Sequence, residues 1–119
     1  MKEIYFIVAS IIFISSCTKD KTSQIIPSDT FHNVEVLNDV FDKDSLNINV
    51  GDTVLWINNS GFHNVNGTTL TYPANLESFG NSVASAPWTF QYVFNTKGTY
   101  TYRCDAHFVM GMIGKVIVN

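Results

Sequence analysis

Beyond residue 30, apolar and polar positions repeat with a period of two, the pattern of strands that bury one face. In residues 46–50 (LNINV), Leu46, Ile48 and Val50 share a face and Asn47 and Asn49 take the other. Gly51-Asp52 reads as a turn, and residues 53–58 (TVLWIN) follow as a strand with Val54 and Trp56 on one side. Residues 88–94 (WTFQYVF) alternate less cleanly, as a strand buried on both faces would. Lys97-Gly98 turns the chain into 99–104 (TYTYRC), where Thr99 and Thr101 alternate with Tyr100 and Tyr102. Residues 33–37 (NVEVL) form the first strand and the β-branched run 114–119 (GKVIVN) the last. No helical period is sustained; residues 76–79 suit at most one turn. Short strands punctuated by Gly, Asn and Asp predict an all-β, antiparallel Greek-key sandwich of one domain. Trp56, Phe90, Tyr92 and Phe94 are its expected core.

The N-terminus departs from this pattern. Residues 1–14 are apolar from Ile4 onward, too short to cross a bilayer as a helix, which takes about 20 residues. They have the length of a signal-peptide core, and the following ISSC resembles a bacterial lipoprotein cleavage box. That resemblance implies export and lipidation of Cys17; the plainer alternative is an ordinary secretory signal. The expected division is a signal over 1–16, a lipidated Cys17 and polar tether over 17–30, and the folded domain over 31–119. The net charge of −3 includes no basic cluster, which argues against nucleic acid as a partner. The chain has two cysteines, so a lipidated Cys17 leaves Cys104 without a disulfide partner. A lone thiol in an oxidising compartment calls for something to hold it.

The loop CDAHFVMGMIG, starting at Cys104, offers a thiol, an imidazole and two thioethers. Soft sulfur with imidazole selects copper over the oxygen-seeking ions. Zinc is the rival metal, although a thioether suits it poorly and no second thiolate is at hand. A His, His, Cys set with a distant Met is the donor set of blue-copper sites, and it needs a second histidine. The tetrapeptide FHNV occurs twice, placing His32 and His63 in identical settings among three histidines.

Three stretches resemble the cupredoxins, within them the plastocyanin-like group: NVGDTVLWINNSGFHNV, FNTKGTYTYRC and CDAHFVMGMIGKVIVN. The resemblance covers about residues 41–119. It implies a Greek-key sandwich with one type 1 copper ion between loops at one end. The first histidine ligand follows the VGDTVLWINN strand, which implies His63 and leaves His32 a surface or strand-end residue. Cys104 and His107 complete the strong ligands. Met112 matches the plastocyanin spacing and precedes Ile-Gly-Lys-Val, whereas Met110 matches the shorter amicyanin spacing; the resemblance favours Met112 on the copper and Met110 in an apolar rim. It further implies that Asn64 ties the His63 loop to the Cys104 loop at Asp105, where relatives often carry a hydroxyl. Arg103 stands where photosynthetic plastocyanins have a tyrosine, so a photosynthetic route does not carry over. Phe62, Phe108, Val109 and Met110 flank the ligand histidines as an exposed electron-transfer patch. Segment 67–87 resembles a variable insert that shapes partner choice.

These readings point to a membrane-tethered, monomeric electron carrier that cycles Cu(II)/Cu(I), meets transient redox protein partners and is held to the cell envelope through Cys17. The alternative is an extracytoplasmic copper-binding protein for storage, delivery or detoxification. A copper enzyme would need further centres rich in histidine, and only His32 is left over; the expectation is a protein that is not an enzyme.

Overall fold

The computed structural model describes residues 30–119. The expected signal segment, Cys17 and residues 17–29 of the tether lie outside the described residues. The strands are β1 (Phe31–Val36), β2 (Ser45–Ile48), β3 (Thr53–Asn58), β4 (Phe62–His63), β5 (Asn66–Gly67), β6 (Phe79–Gly80), β7 (Ala84–Ser85), β8 (Trp88–Val93), β9 (Gly98–Arg103) and β10 (Ile113–Val118). One sheet has the order β1-β3-β8 and faces another of order β2-β10-β9-β5-β6, while β4 and β7 pair separately.

The all-β sandwich is the one that the alternation predicts. Antiparallel pairs dominate, but β1 runs parallel to β3, and β2 parallel to β10. Such pairs need a crossover between them. Here β2 supplies it, because the chain leaves the first sheet after β1, crosses to the second and returns as β3.

Two strand readings are corrected. Strand β2 stops at Ile48, so Val50 does not share its buried face and stands 48% exposed ahead of the Gly51 turn, where φ is 91°. Strand β8 is buried on one face only: Trp88, Phe90 and Tyr92 pack inward while Thr89, Gln91 and Val93 are exposed. In a two-layer sandwich one side of each sheet faces away from the core, and Thr89, Gln91 and Val93 are on that side of β8.

Between the sheets, Val34, Val54 and Trp56 meet Tyr100, Tyr102 and Val116, all fully buried. Trp56 stacks on Phe90 at 5.5 Å between ring centroids and meets Tyr102 edge-on at 5.3 Å, arrangements that favour the aromatic quadrupoles. Phe79 sits at the middle of this cluster, against Trp56, Tyr92, Phe94, Tyr100 and Tyr102. Its ring lies over Gly67, where any Cβ would collide with it, and the Tyr102 ring covers Gly114 in the same way.

Phe79 belongs to segment 67–87, so this stretch is part of the core. Asn75 is buried; its amide donates to the carbonyls of Gly67 (2.9 Å) and Thr101 (2.8 Å) and accepts from the Thr101 N–H (2.9 Å). Glu77 accepts from the N–H groups of Asn95 (3.1 Å) and Thr96 (2.9 Å) and from the Tyr92 and Tyr100 hydroxyls, each at 3.1 Å. Burial, then the hydrogen bond and charge of Glu77, push the Tyr100 hydroxyl up to about 12. The single turn that residues 76–79 would suit does not form: the chain bends at Leu76 and Glu77 and enters β6 at Phe79, with Asn75 and Glu77 bonded to other segments.

Replacing Phe79 by Ala is expected to destabilise the metal-free protein by about 3–5 kcal/mol, the usual range for a buried Phe. Leu70→Ala, in the same segment but 93% exposed, should stay within about 0.5 kcal/mol. Denaturant unfolding of both variants checks this, and equal losses would contradict the central place of Phe79.

Candidate metal centre

Strand β3 ends at Asn58, whose buried amide donates to the Gly61 carbonyl (3.2 Å) and accepts from the Ser60 N–H (3.3 Å). The tight turn this makes runs through Gly61 at φ 84°, and a Cβ there would stand 2.8 Å from His63 Nε2. Both facts demand glycine. The turn delivers His63 into β4 with its ring 1% exposed.

Strand β9 delivers the other donors. Its inward face carries Tyr100 and Tyr102, and the same alternation aims Cys104 inward just past its end. The loop that follows is closed by the Cys104 N–H bonded to the Met112 carbonyl at 3.0 Å. Inside it, the His107 carbonyl accepts from Met110 (3.0 Å) and Met112 (3.4 Å), with a single 3-10 turn over Phe108–Met110 ended by left-handed Gly111.

Cys104 Sγ lies 3.7 Å from His63 Nδ1 and 3.5 Å from His107 Nδ1, and the two imidazole centroids are 4.7 Å apart. Among the described residues, these three side chains bring their donor atoms within 4.8 Å of one another. With metal bonds of about 2.0 Å to nitrogen and about 2.3 Å to sulfur, as zinc makes them, angles of about 110–120° separate N and S by about 3.5–3.7 Å. The cluster therefore has the dimensions of a first-row metal site. One thiolate, two imidazoles and adjacent thioethers decide for copper within that row. Burial, then the charge of His107, lower the His63 imidazole, against a smaller upward pull from Asp39. A lowered value keeps the ring neutral, which is the form that binds metal.

The two methionines part company. Met112 is fully buried at the closed end of the loop, whereas Met110 is 59% exposed. Phe62, Phe108, Val109 and Met110 are exposed and flank in sequence the buried His63 and the partly buried His107. His32 lies elsewhere: it faces Val54 across β1 and β3, at the opposite end of β3 from the metal cluster. Its Nε2 is 2.8 Å from the buried carboxylate of Asp52.

Asn64 joins the two ligand loops. Its Oδ1 accepts from the Asp105 N–H at 2.7 Å, and its Nδ2 donates to Asp105 Oδ2 (2.9 Å) and to the Asn81 carbonyl (3.1 Å). Several partners in this network were not foreseen from sequence. Asn66 donates to both Asp105 oxygens at 3.0 Å, Arg103 Nε donates to Asp105 Oδ1 at 2.9 Å, and Asn81 Oδ1 accepts from the Val65 N–H at 2.7 Å. Asn64 and Asn66 are two apart, a spacing that signals a shared side; nothing local signals Asn81. Burial would raise the Asp105 carboxyl, but hydrogen bonds from Asn66, Asn64 and Arg103 outweigh it and hold the group below its ordinary value.

Residues 28–119 match the family described as copper binding proteins, plastocyanin/azurin family. The chain belongs to that family. It is 38% identical over 92 residues to the chloroplastic plastocyanin of Tetradesmus obliquus, a match covering 67% of this chain and 59% of that protein. With the plastocyanin of Scenedesmus fuscus it shares 38% over 85 residues, covering 67% of this chain and 87% of the relative. The amicyanin structure from Paracoccus versutus superimposes with a TM-score of 0.60 at 25% identity, over 80% of this chain and 86% of that one. The cluster of His63, Cys104 and His107 matches a type 1 copper site.

The repeated FHNV supplies an internal control. With Cu(II) added, His63→Ala is expected to abolish or grossly alter the visible spectrum and His32→Ala to leave it intact. Absorption spectra of the two variants decide, and the opposite result would assign the first ligand to the wrong copy.

Proposed function

We propose that this protein is a membrane-tethered electron carrier with one type 1 copper ion. His63, Cys104 and His107 hold the metal, and Met112 supplies a fourth, weaker donor. Copper in this site supplies one-electron chemistry between Cu(II) and Cu(I). The observation that carries this reading is the convergence of Cys104 Sγ with two imidazole nitrogens at 3.5 and 3.7 Å.

The residues divide the work by exposure. Cys104, His63 and Met112 are buried, which excludes water from the thiolate and protects it from oxidation. Asn64 and Asp105 hold the two ligand loops together, so the donors keep their positions when the charge changes. His107 is the partly exposed ligand and forms the passage for the electron. Phe62, Phe108, Val109 and Met110 make an apolar rim around it, suited to brief docking with redox protein partners through a small interface. The protein acts as a monomer and performs no catalysis. A storage or delivery site would need an accessible metal, and three of the four donors here are buried.

Titration of Cu(II) is expected to give a one-to-one complex with intense absorption toward the red end of the visible range and a reversible one-electron wave. Cys104→Ala should remove the colour, and Met112→Gln should lower the potential, because an oxygen donor favours Cu(II). A colourless complex, or colour that survives Cys104→Ala, would overturn the reading.

Export and anchoring rest on the ISSC motif. Cys17 carries the lipid, and residues 18–30 space the domain from the envelope. Stable anchoring takes more than one acyl chain, which a lipidated N-terminal cysteine provides. In a bacterial host the full-length protein should fractionate with membranes and Cys17→Ser should not. Wild type found in the soluble fraction would leave an untethered carrier.

A further inference from the structure

Arg103 lies on the outward face of β9, between Ile113 of β10 and Asn66 of β5. Tyr102 and Cys104 point into the core, so strand alternation puts Arg103 and Asp105 on the same outer side. Its Nε donates to Asp105 Oδ1 at 2.9 Å, and its guanidinium carbon lies 4.1 Å from the centroid of the Phe108 ring. One guanidinium therefore contacts two loop positions, the residue after Cys104 through Nε and the ring of the residue after His107.

We infer that Arg103 is a positioning residue for electron exchange, clamping Phe108 in place beside the His107 edge while Asp105 fixes the guanidinium. The inference rests on the carrier reading above and adds a residue whose side chain is not one of the donors. The 3-10 turn over Phe108–Met110 has no buried residue, and Phe108 itself stands 39% exposed, so the core encloses its ring only in part. The guanidinium over the exposed ring adds order through a cation–π contact. Asp105 is itself held by Asn64 and Asn66, which makes the clamp continuous with the two ligand loops. A ring already immobilised enters a docking interface without the ordering cost that a free side chain imposes. Lysine cannot replace the group: an ammonium is a single point charge without a planar face, and cannot pair with Asp105 and cover Phe108 together.

The test uses Arg103→Lys, which keeps the charge, and Phe108→Leu, which keeps the ion pair with Asp105. In the copper-loaded full-length protein both should leave the visible band unchanged and slow electron self-exchange about three- to tenfold, measured at high salt to screen charge. The double variant should be no slower than the slower single one. In the metal-free protein, NMR of the Phe108 ring should show faster reorientation in Arg103→Lys than in wild type. Wild-type exchange rates in Arg103→Lys, or unchanged Phe108 ring dynamics, would overturn the inference. A wild type without the blue band would sink the carrier reading, and the metal-free NMR comparison would still judge the clamp.

Discussion

The reciprocal pair of hydrogen bonds between Asn64 and Asp105, at 2.7 and 2.9 Å, joins segments that the chain separates by 41 residues. On one side of it stands His63, on the other Cys104. The His63 loop brings one donor and the Cys104 loop the others, so the protein sets the separation between His63 and the rest of the set. Side-chain bonds to a carboxylate are stronger than neutral ones, and here the carboxylate also receives Asn66 and Arg103. The result is a donor set whose dimensions are held by protein contacts as well as by the donors themselves. For an electron carrier that matters, because a site that keeps its shape between oxidation states offers little rearrangement to oppose transfer.

The sandwich backs this joint from below. Tyr102 enters the core two residues before Cys104, and Trp56 two residues before Asn58, which closes the turn toward His63. Both rings pack against Phe79, a residue from the stretch least regular in sequence. The ligand loops thus grow from the ends of strands whose inward aromatics share one cluster. Interiors packed at crystal-like density have low compressibility and transmit strain. A shift of either loop would have to move that cluster.

Much of this was legible in the chain because strands and donor chemistry are local. Period-two alternation located the six longer strands, and the Cys104, His107 and Met112 spacing located the loop. The misreadings share one cause. The both-sided burial expected of β8, the buried Val50 and the helical turn at 76–79 each depended on what lay opposite, which a period does not report. The short strands β4, β5, β6 and β7, two residues each, are too brief to show a period at all. Asn66 reaches Asp105 through the pairing of Asn66 with Arg103 across β5 and β9, and Asn81 reaches Asn64 through the pairing of β5 with β6.

The amino-acid sequence by itself determined the all-β character, the soft donor set and the candidate ligands, since alternation and side-chain chemistry are properties of residues and spacings. Resemblance then chose between two identical FHNV copies. Only the tertiary structure decided the rest: that His32 pairs with Asp52 away from the metal end, that Met112 is enclosed while Met110 is not, and that Arg103 covers Phe108. The physical reason is the same in each case. Burial and charge pairing depend on distances between segments far apart in the chain, and those distances exist only once the two sheets have closed on their core.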